Sequence, residues 1–552
     1  MSLGWLSALL AGVFSAHVLQ TLCFPYFWRD LLFLLKVLRY GARLELTKLT
    51  RSARTVLDRF VQQARRIPDK PFVVYEGRVH TYRDVELRSN RLANVFLDSV
   101  KLRKGDCVGL LMNNEPDFLC AWFGLAKVGC SVAFLNTNIR SKSLLHCFDC
   151  CGAKTLVVGS DLVEGLDGVL DVLLEDNIQV WAMGGPGGHP RVHTLLDKLD
   201  AASDQPVAAA LRAAASLKSP TLYIFTSGTT GLPKAAVITH LQSLKAAAGF
   251  WAFGATEDDV MYIPLPLYHS AASLIGIGGT IELGASCVLK KKFSASQFWT
   301  DCRKHNVTVF QYIGELCRYL CNQPKTAGDQ VHKVRMGVGN GLRQDVWREF
   351  QSRFGNIKMC EVYGSTEGNL CFMNHIGKIG TVGRSNFFYR LLFKYDLVKY
   401  DMVKDEAVKD PNGFCQRVEK GKRSALVMWK GENVATTEVT ETLGLVDFIQ
   451  EVNVYGVEVQ GTLGRVCVCI PTSLFEHVTR DMPPYARPLF IRLQDVMEMT
   501  STFKQQKFQL VHSGFNPSTT SDPLYVLDYQ QQSYIPLTDG IYRSIQAGER
   551  KL

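Results

Sequence analysis

The most informative stretch of the sequence is a run of small hydroxyl and glycine residues that ends at a lysine. It follows the apolar segment 222–225, and its members are Thr226, Ser227, Gly228, Thr229, Thr230, Gly231 and Lys234. Glycines let backbone N–H groups approach an anion closely, hydroxyls add donors that need no ionisation, and lysine supplies a mobile positive charge. This order predicts a phosphate-binding loop, with a plain hairpin turn as the alternative. A Walker loop is excluded, because Pro233 precedes the lysine and Val237 and Ile238 predict a returning strand instead of a helix.

A second motif combines an aromatic ring, a hydroxyl and a carboxylate. It reads Tyr363-Gly364-Ser365-Thr366-Glu367-Gly368 and follows a strand predicted at 357–360. A tyrosine ring stacks on a purine base, a hydroxyl binds a phosphate oxygen, and a carboxylate offers the oxygen ligand that Mg2+ prefers. Tyr363, Gly364 and Thr366 are therefore candidate nucleotide-binding residues, and Glu367 is the candidate Mg2+ ligand. A short motif of this kind also occurs by chance, so its weight comes from following the first.

Two further segments supply groups that a substrate pocket needs. The turn Gly339-Asn340-Gly341 follows a strand predicted at 334–338, and its glycines let a flat base or an acyl chain lie against the backbone; an ordinary tight turn is the alternative. His269 follows a strand and a tyrosine and is suited to orienting a carboxylate, with a purely structural histidine as the alternative. The glycine-rich apolar stretch 274–284 fits an acyl tunnel and a packed core helix equally well.

The elements that position these motifs alternate between strands and helices. Strands are predicted at 107–112, 131–135, 155–159 and 180–182, and a helix at 116–128. This order predicts an α/β protein with a parallel sheet. The stretch 184–216 is rich in Gly, Pro, Ala and Ser and is predicted to be a loop or linker.

Together the two motifs resemble the core signatures of the acyl-adenylating superfamily, in which the lysine and hydroxyls hold the β- and γ-phosphates of ATP. The chain as a whole resembles the fatty acid transport proteins, which are also very-long-chain acyl-CoA synthetases, most clearly at 293–299, 311–315, 429–439 and 536–538. The resemblance implies an α/β acyl-adenylate-forming enzyme fold. It also implies a large N-terminal domain, a small mobile C-terminal α+β domain and an N-terminal membrane segment.

The reaction that the resemblance implies has two halves. A long-chain fatty carboxylate attacks the α-phosphate of Mg-ATP to give an acyl adenylate, and the thiolate of coenzyme A then displaces AMP. The resemblance assigns catalysis to Thr226, His269, Glu367 and Lys504, with Lys507 as a rival for Lys504 and a surface lysine without a role as the alternative. Forming the charged thioester on the cytosolic side also draws fatty acid across the membrane. Two other interpretations stay open: a fatty acid transporter or binding protein without ligase activity, and a ligase for a bile acid or another acid.

The chain departs from the family pattern at one junction. Family members carry, before the Trp-Lys-Gly-Glu-Asn motif, a segment with a Gly-Asp pair that holds the ATP ribose and an Asp-Arg hinge. Here the residues after Gly421 run straight into Trp429, and no Gly-Asp pair follows Arg384. We predict that several dozen residues are missing at the junction 419–428 and that ligase activity is impaired. The expected domains are an AMP-binding domain at 52–418 and a C-terminal lid at 429–552.

The sequence of the amino-terminal end predicts a membrane segment. Residues 1–28 contain no charged side chain and are long enough to cross a hydrocarbon layer of about 30 Å as a helix. The stretch 29–51 is basic, which predicts that this end stays cytosolic with the catalytic domain. The family resemblance implies the plasma membrane, the endoplasmic reticulum or both as the location. Within the stretch 29–51, the apolar run 31–38 fits the membrane interface. A cleaved signal peptide and a peripheral hairpin that never crosses are the alternatives.

Composition limits the remaining function classes. The chain has 552 residues, of which 47% are hydrophobic and 21% charged, so it is a folded protein of more than one domain. A net charge of +10 suits anionic substrates and membrane lipid, and no nucleic-acid motif is found. The 16 cysteines are expected to be reduced. His146, Cys147, Cys150 and Cys151 could in principle bind a metal, but no second pair at zinc spacing follows. Chain length and charge leave a homo-oligomer open.

Overall fold

The chain divides into two compact units in the computed structural model, residues 1–393 (unit one) and 394–552 (unit two). The structure describes residues 12, 14–15, 17–18, 20–50, 55–139, 141–184, 190–213, 216–226, 233–366, 368, 371–393, 395–396, 398–401, 406–417, 426–429, 432–435, 443, 452, 454–456, 466–468, 474–481, 487–494, 510, 513–547 and 549–550.

Unit one contains two sheets whose strands run mostly parallel. Its strands are β1 (Pro71–Tyr75), β2 (Arg78–Thr81), β3 (Cys107–Leu111), β4 (Ser131–Phe134), β5 (Thr155–Gly159), β6 (Gln179–Met183), β7 (His193–Thr194), β8 (Pro220–Thr226), β9 (Lys234–Thr239), β10 (Val260–Ile263), β11 (Ser286–Leu289), β12 (Val309–Ile313), β13 (Met336–Asn340), β14 (Lys358–Gly364) and β15 (Cys371–Met373). The seven-stranded sheet has the order β7-β6-β5-β3-β4-β8-β9, and the eight-stranded sheet has the order β15-β14-β13-β12-β10-β11-β1-β2. Strands β9, β2 and β15 pair antiparallel with β8, β1 and β14.

Helices connect most of these strands. They are α1 (Phe27–Thr50), α2 (Val56–Arg66), α3 (Tyr82–Asp98), α4 (Pro116–Val128), α5 (Ser141–Cys151), α6 (Leu170–Glu175), α7 (Leu196–Ala201), α8 (Ala210–Ala213), α9 (His240–Ala247), α10 (Gly249–Phe253), α11 (Gly278–Leu283), α12 (Ala295–Lys304), α13 (Gly314–Cys321), α14 (Gln344–Phe354) and α15 (Phe387–Leu392), with 3-10 turns at Ser160–Leu162 and Glu164–Leu166 and a π-helical segment at Ala271–Ile277. Strands β5 and β12 are buried along their full length, as expected of parallel strands covered on both faces.

The predicted strand-helix-strand order is confirmed, and one predicted loop is partly wrong. Strand β3 pairs in parallel with both β4 and β5, and α4 connects β3 to β4. The stretch 184–216 was expected to be a loop, but it contains β7, α7 and α8. The physical reason is that Leu195 and Leu199, one helical turn apart, are both buried, and their burial stabilises α7 within a segment of weak helix signals.

Unit two is smaller and contains a mixed sheet. Its elements are β16 (Tyr400–Asp401), β17 (Glu406–Ala407), β18 (Leu426–Trp429), β19 (Glu432–Ala435), β20 (Tyr455–Gly456), β21 (Val466–Val468), α16 (Leu474–Asp481), β22 (Phe490–Arg492), a 3-10 turn (Pro517–Thr519), β23 (Leu524–Asp528), β24 (Ser533–Pro536) and α17 (Asp539–Gln546). Five strands form a sheet in the order β20-β21-β22-β23-β24. Its core includes Phe490, whose ring stacks on Phe515 with centroids 4.2 Å apart.

Asp259 ties together the amino-terminal ends of three strands in unit one. Its carboxylate accepts hydrogen bonds from Thr308 Oγ1 at 2.7 Å, Arg335 Nε at 3.1 Å and Nη2 at 2.5 Å, and the Thr256 backbone N–H at 2.8 Å. Thr308 precedes β12 and Arg335 precedes β13, so one buried carboxylate fixes both relative to β10. Burial opposes ionisation of Asp259, but these hydrogen bonds and the charge of Arg335 outweigh it and hold its pKa below the ordinary value.

We expect Asp259→Asn to lower the free energy of unfolding at pH 7 by about 2 to 4 kcal/mol, because Arg335 would lose its buried charged partner. The contribution of this carboxylate is complete above its unfolded-state pKa near 3.8 and is lost as pH falls through the lower folded-state pKa. In urea unfolding curves the difference in stability between the wild type and the variant should therefore stay constant from pH 7 down to about pH 4 and shrink only as the pH falls further. Asp345→Asn, at an exposed ion pair with Arg343, is the control and should cost less than about 1 kcal/mol. A difference that stays constant with pH would contradict the assignment.

Candidate active site

The hairpin formed by β8 and β9 carries the predicted phosphate loop. The two strands pair antiparallel from Leu222 opposite Ile238 to Thr226 opposite Lys234. The loop between them therefore begins and ends at two residues that face each other across the hairpin. Lys234 is exposed and Thr226 is half-buried. The returning strand confirms that this is not a Walker loop.

The far end of the hairpin is braced by the helix that follows it. Thr239 caps α9: its Oγ1 accepts the backbone N–H of Gln242 at 3.3 Å, and the Gln242 Oε1 accepts the backbone N–H of Thr239 at 2.8 Å. This reciprocal capping box satisfies two donors that a helix start otherwise leaves open. It fixes the direction in which the chain leaves β9. Lys234, at the opposite end of the same strand, is positioned by its pairing with Thr226.

The predicted turn at 339–341 lies at the carboxyl end of β13, between β12 and β14. Gly339 pairs with Tyr312 on one side and Glu361 on the other. A Cβ added to Gly339 would lie 2.1 Å from the Tyr312 carbonyl oxygen, and one added to Gly314 would lie 1.9 Å from the Gly341 carbonyl oxygen. Both contacts are far inside van der Waals distance. Glycine is therefore required here by close approach of one backbone to another.

Glu361 holds this turn, and sequence reasoning missed it. Its carboxylate, on a residue that is 1% exposed, accepts hydrogen bonds from the Tyr312 hydroxyl at 2.7 Å and from the backbone N–H groups of Gly341 at 2.9 Å and Leu342 at 3.2 Å. Burial raises the pKa of Glu361, and the three hydrogen bonds partly oppose that rise. A signal was available in the sequence, because an acidic residue inside the apolar strand before Tyr363 needs buried donors.

The second motif continues from Glu361 along β14. Tyr363 is 60% exposed and its ring lies 6.2 Å from that of Phe372, so a ring face is available to a flat ligand. Gly364 is exposed, and Thr366 is half-buried beyond the strand. A Cβ added to Gly368 would lie 3.5 Å from Gln242 Nε2. The structure therefore brings the second motif beside the helix that follows the first.

His269 lies after a loop that a buried asparagine holds in place. Asn114 Nδ2 donates to the carbonyl oxygens of Leu265 at 2.8 Å and Lys290 at 3.0 Å, and its Oδ1 accepts the Leu267 backbone N–H at 2.7 Å. His269 is half-buried, and its ring lies 4.6 Å from that of Tyr268. Asn114 was also missed from the sequence, since its partners lie more than a hundred residues away in the chain.

The sequence fitted either an acyl tunnel or a packed core helix at 274–284, and this stretch is helical in the structure. It begins within the π-helical segment Ala271–Ile277, a rare geometry that occurs frequently at functional sites, and continues as α11. Gln311 Nε2 donates to the Ala271 carbonyl at 2.7 Å. Its Oε1 is buried and has no hydrogen-bond partner among the described residues. An added Cβ on Gly276 would lie 2.7 Å from that oxygen, so glycine is needed there.

Several predicted site residues lie outside the described part of the chain. They are Ser227, Gly228, Thr229, Thr230, Gly231, Glu367 and Lys504. Within the described ranges, no group of three or more His, Cys, Asp or Glu side chains is placed to hold a metal ion. In the candidate cluster on α5, His146 Nε2 lies 3.2 Å from Cys150 Sγ, and the Cys151 thiol donates to the Cys147 carbonyl oxygen at 3.0 Å.

Comparison with known proteins assigns this arrangement to a family. The family described as AMP-binding enzyme matches residues 60–392. "Long-chain fatty acid transport protein 6" of Mus musculus is 51% identical over 623 aligned residues that cover 100% of each chain. "Long-chain fatty acid transport protein 2" of Rattus norvegicus is 42% identical and covers 97% of this chain and 98% of its own.

Solved structures agree on the fold. The anthranilate CoA ligase AuaEII in complex with anthranoyl-AMP has a TM-score of 0.68 at 19% identity and covers 83% of this chain and 96% of its own. ATP-bound MatB from Rhodopseudomonas palustris has a TM-score of 0.67 at 18% identity, covering 83% and 98%. The fold is that of the acyl-adenylate-forming enzymes, as the sequence predicted. The chain belongs to the AMP-binding enzymes and, within them, to the long-chain fatty acid transport proteins.

The alignment with the mouse relative also bears on the predicted missing segment. It runs over 623 positions, whereas this chain has 552 residues, so at least 71 aligned positions are occupied by the relative alone. This agrees with an internal gap of several dozen residues. Its location at 419–428 stays a prediction, and most of that junction lies outside the described residues.

Half of the expected membrane segment at 1–28 falls outside the described residues. Among the helices that the structure does describe, none combines the length and the apolar character needed to cross a bilayer.

Proposed function

We propose that this chain is built as an ATP-dependent long-chain fatty acid-CoA ligase coupled to fatty acid uptake. The observation that carries the proposal is the meeting of the two nucleotide motifs: Gly368, at the end of the second, lies against Gln242 of the helix that leaves the first. Family membership supports the reaction, and this juxtaposition supports a nucleotide site in unit one. Thr226 and Lys234 face each other at the two ends of the phosphate loop, and Tyr363 is exposed at the start of the second motif.

Each candidate residue has a role that its chemistry fits. Lys234 and the hydroxyls of Thr226, Ser227, Thr229 and Thr230 would hold the β- and γ-phosphates, and Tyr363 would stack on adenine beside the wall at 339–341. Thr366 would bind the α-phosphate. His269 would orient the fatty carboxylate, and Lys504 would neutralise charge that develops between the acyl oxygen and the departing pyrophosphate. The carboxylate of Glu367 offers the oxygen ligand that Mg2+ prefers, and the ion would supply charge neutralisation at the phosphates.

The domain plan of the family supports the remaining assignments. We infer an adenylation domain at 52–418 and a mobile lid at 429–552 that brings Lys504 to the nucleotide. Residues 1–28 and the basic stretch 29–51 would hold the protein at the membrane lipid of the plasma membrane or endoplasmic reticulum, with the ligase in the cytosol. Coenzyme A would enter from the same side.

The apparent gap favours a second candidate, a fatty acid transporter or binding protein without ligase activity. At least 71 positions of the mouse relative have no counterpart here, and the family resemblance puts the ribose contacts among them. If the chain is a transporter without ligase activity, the Lys234→Ala variant would leave cellular fatty acid uptake unchanged. If ligation drives uptake, the same variant would lower uptake.

We expect Lys234→Ala to weaken ATP binding by about 10- to 100-fold, because one charged contact to phosphate is lost. The measurement is calorimetric titration of the full chain with ATP and Mg2+, which needs no turnover. Lys218→Ala is the matched control, since Lys218 is exposed near the opposite end of the same hairpin, and its affinity should equal that of the wild type. Equal ATP affinity in the wild type and the Lys234→Ala variant would contradict the proposed phosphate site.

A further inference from the structure

Helix α1 is attached to unit one along one face. Near its start, the Asp30 carboxylate accepts hydrogen bonds from Arg384 Nε and Nη2, both at 2.6 Å, and lies 3.1 Å from His375 Nε2. One turn on, the Phe33 ring stacks on the same imidazole with centroids 4.1 Å apart. A buried carboxylate that accepts two hydrogen bonds from one guanidinium fixes both the position of α1 and its rotation about the helix axis.

The second half of α1 is held on the same side. The Tyr40 hydroxyl donates to the Leu244 carbonyl of α9 at 2.9 Å, and its ring lies 5.6 Å from that of Trp251. Arg43 Nη1 lies 3.0 Å from the Glu282 carboxylate. Because both halves are docked, the helix lies along the surface of the catalytic unit over its whole length of about 36 Å.

The opposite face of α1 is largely apolar and faces away from the protein. Its positions recur at alternating intervals of four and three residues, which places them on one line along the helix. We call this line the outer stripe; its members are Trp28, Leu32, Leu35, Arg39, Ala42 and Leu46. Trp28, Leu32, Leu35 and Leu46 are each more than half exposed. A contiguous apolar line of this size marks an interaction surface.

A neighbouring helix adds to this apolar surface. The Phe388 ring of α15 lies 5.7 Å from the Phe27 ring at the start of α1. On α15, Leu391 is 67% exposed and Leu392 is 45% exposed. Helix α15, which contacts the start of α1, therefore carries exposed apolar residues of its own.

The charges that flank the outer stripe are almost all positive. Between 28 and 46 the exposed charged residues are Arg29, Lys36, Arg39, one acidic residue, Glu45, and Arg43, whose guanidinium is already paired with Glu282. A helix with leucines and a tryptophan on one line and basic residues beside it is the pattern of helices that lie in a membrane interface. A second copy of the chain fits less well, because Arg39 in the middle of the stripe would face the basic residues of the copy.

We propose that the outer stripe of α1, together with Leu391 and Leu392, lies in the plane of an anionic lipid surface and sets the catalytic unit directly against it. The proposal deepens the membrane attachment proposed above by naming the surface that meets the lipid. A helix docked along its full length by its inner face is held parallel to the bilayer. The basic flank then reaches the phosphate layer, while Trp28, Leu32 and Leu35 enter the boundary of the acyl chains.

The test places the photoreactive residue p-benzoylphenylalanine at position 32 or 35 of the full chain and irradiates it with vesicles of phosphatidylcholine and phosphatidylserine. Control positions are 79 and 331, where Val79 and Val331 are exposed to a similar degree, 55% and 63%. We expect lipid adducts at 32 and 35 several-fold above the controls, read by mass spectrometry. The yield should fall about tenfold or more with phosphatidylcholine alone, since each basic residue adds about 1 kcal/mol at an anionic surface.

Two outcomes would overturn the proposal. Equal lipid labelling at 32, 35, 79 and 331 would mean that the outer stripe has no preferred contact with lipid. Crosslinks between two chains at 32 or 35, in place of lipid adducts, would identify the stripe as a contact between copies. Neither readout depends on ligation, so either failure leaves the ATP-binding proposal standing, and loss of ATP binding would leave this one standing.

Discussion

Inserting at the junction 419–428 the family segment that we predict to be missing there is expected to raise oleate-dependent pyrophosphate release by about 10²- to 10⁴-fold. Two hydrogen bonds to the ribose, at about 1.5 to 3 kcal/mol each, account for about 3 to 6 kcal/mol of transition-state stabilisation. Each 1.36 kcal/mol corresponds to a factor of ten in rate. The gain should appear in the rate of pyrophosphate formation more than in the affinity for the fatty acid.

The control for this experiment is a Gly/Ser insertion of equal length at the same junction. It relaxes any strain at the shortened connection without supplying ribose contacts, so its activity should remain that of the 552-residue chain. Full ligase activity of the unaltered chain would refute the predicted impairment. Restored ATP binding without pyrophosphate release would favour the transporter without ligase activity.

Replacing Glu361 with alanine is expected to destabilise unit one by about 3 to 5 kcal/mol and to weaken nucleotide binding. The substitution leaves the buried N–H groups of Gly341 and Leu342 and the Tyr312 hydroxyl without their acceptor, at about 1 to 3 kcal/mol each. The turn at 339–341 would then lose the contact that fixes it against β14. Urea unfolding and ATP titration of the segment-restored chain measure the two effects.

Three variants make the Glu361 experiment specific. Glu361→Gln keeps one acceptor oxygen and should cost less than the alanine variant, and Tyr312→Phe removes a single donor and should cost about 1 kcal/mol. Glu349→Ala, an exposed glutamate on α14, should change neither stability nor ATP affinity. Wild-type ATP affinity in a folded Glu361→Ala variant would show that this turn does not contact the nucleotide.

The elements that local signals define could be predicted from the sequence. Helix α4 occupies the predicted range, because a proline at its start and a glycine after its end mark both boundaries. The hairpin was predicted because the lysine follows a proline and begins a short β-prone run. The stretch that became α7 was missed, since its helix depends on burying two leucines and not on helix propensity.

The residues that hold the candidate site together could not be predicted in the same way. Asn114 bridges a loop about 150 residues further along the chain, and nothing near it in sequence indicates that contact. Asp30 lies within the stretch 29–51, which the sequence analysis described only as basic, yet it is the residue by which α1 is fixed to Arg384. Such contacts depend on which strands and helices become neighbours, and only the folded topology supplies that information.

The docking of α1 has a practical consequence for preparing the protein. A truncation that starts after Thr50 would remove Asp30 and Tyr40, uncover the Arg384 guanidinium and leave the carboxylate of Glu282 facing water. Shortening the chain to make it more soluble would thus remove an exposed apolar helix but uncover residues of unit one that the helix normally buries. Detergent micelles or lipid nanodiscs that retain residues 27–50 are the better route to material fit for kinetics.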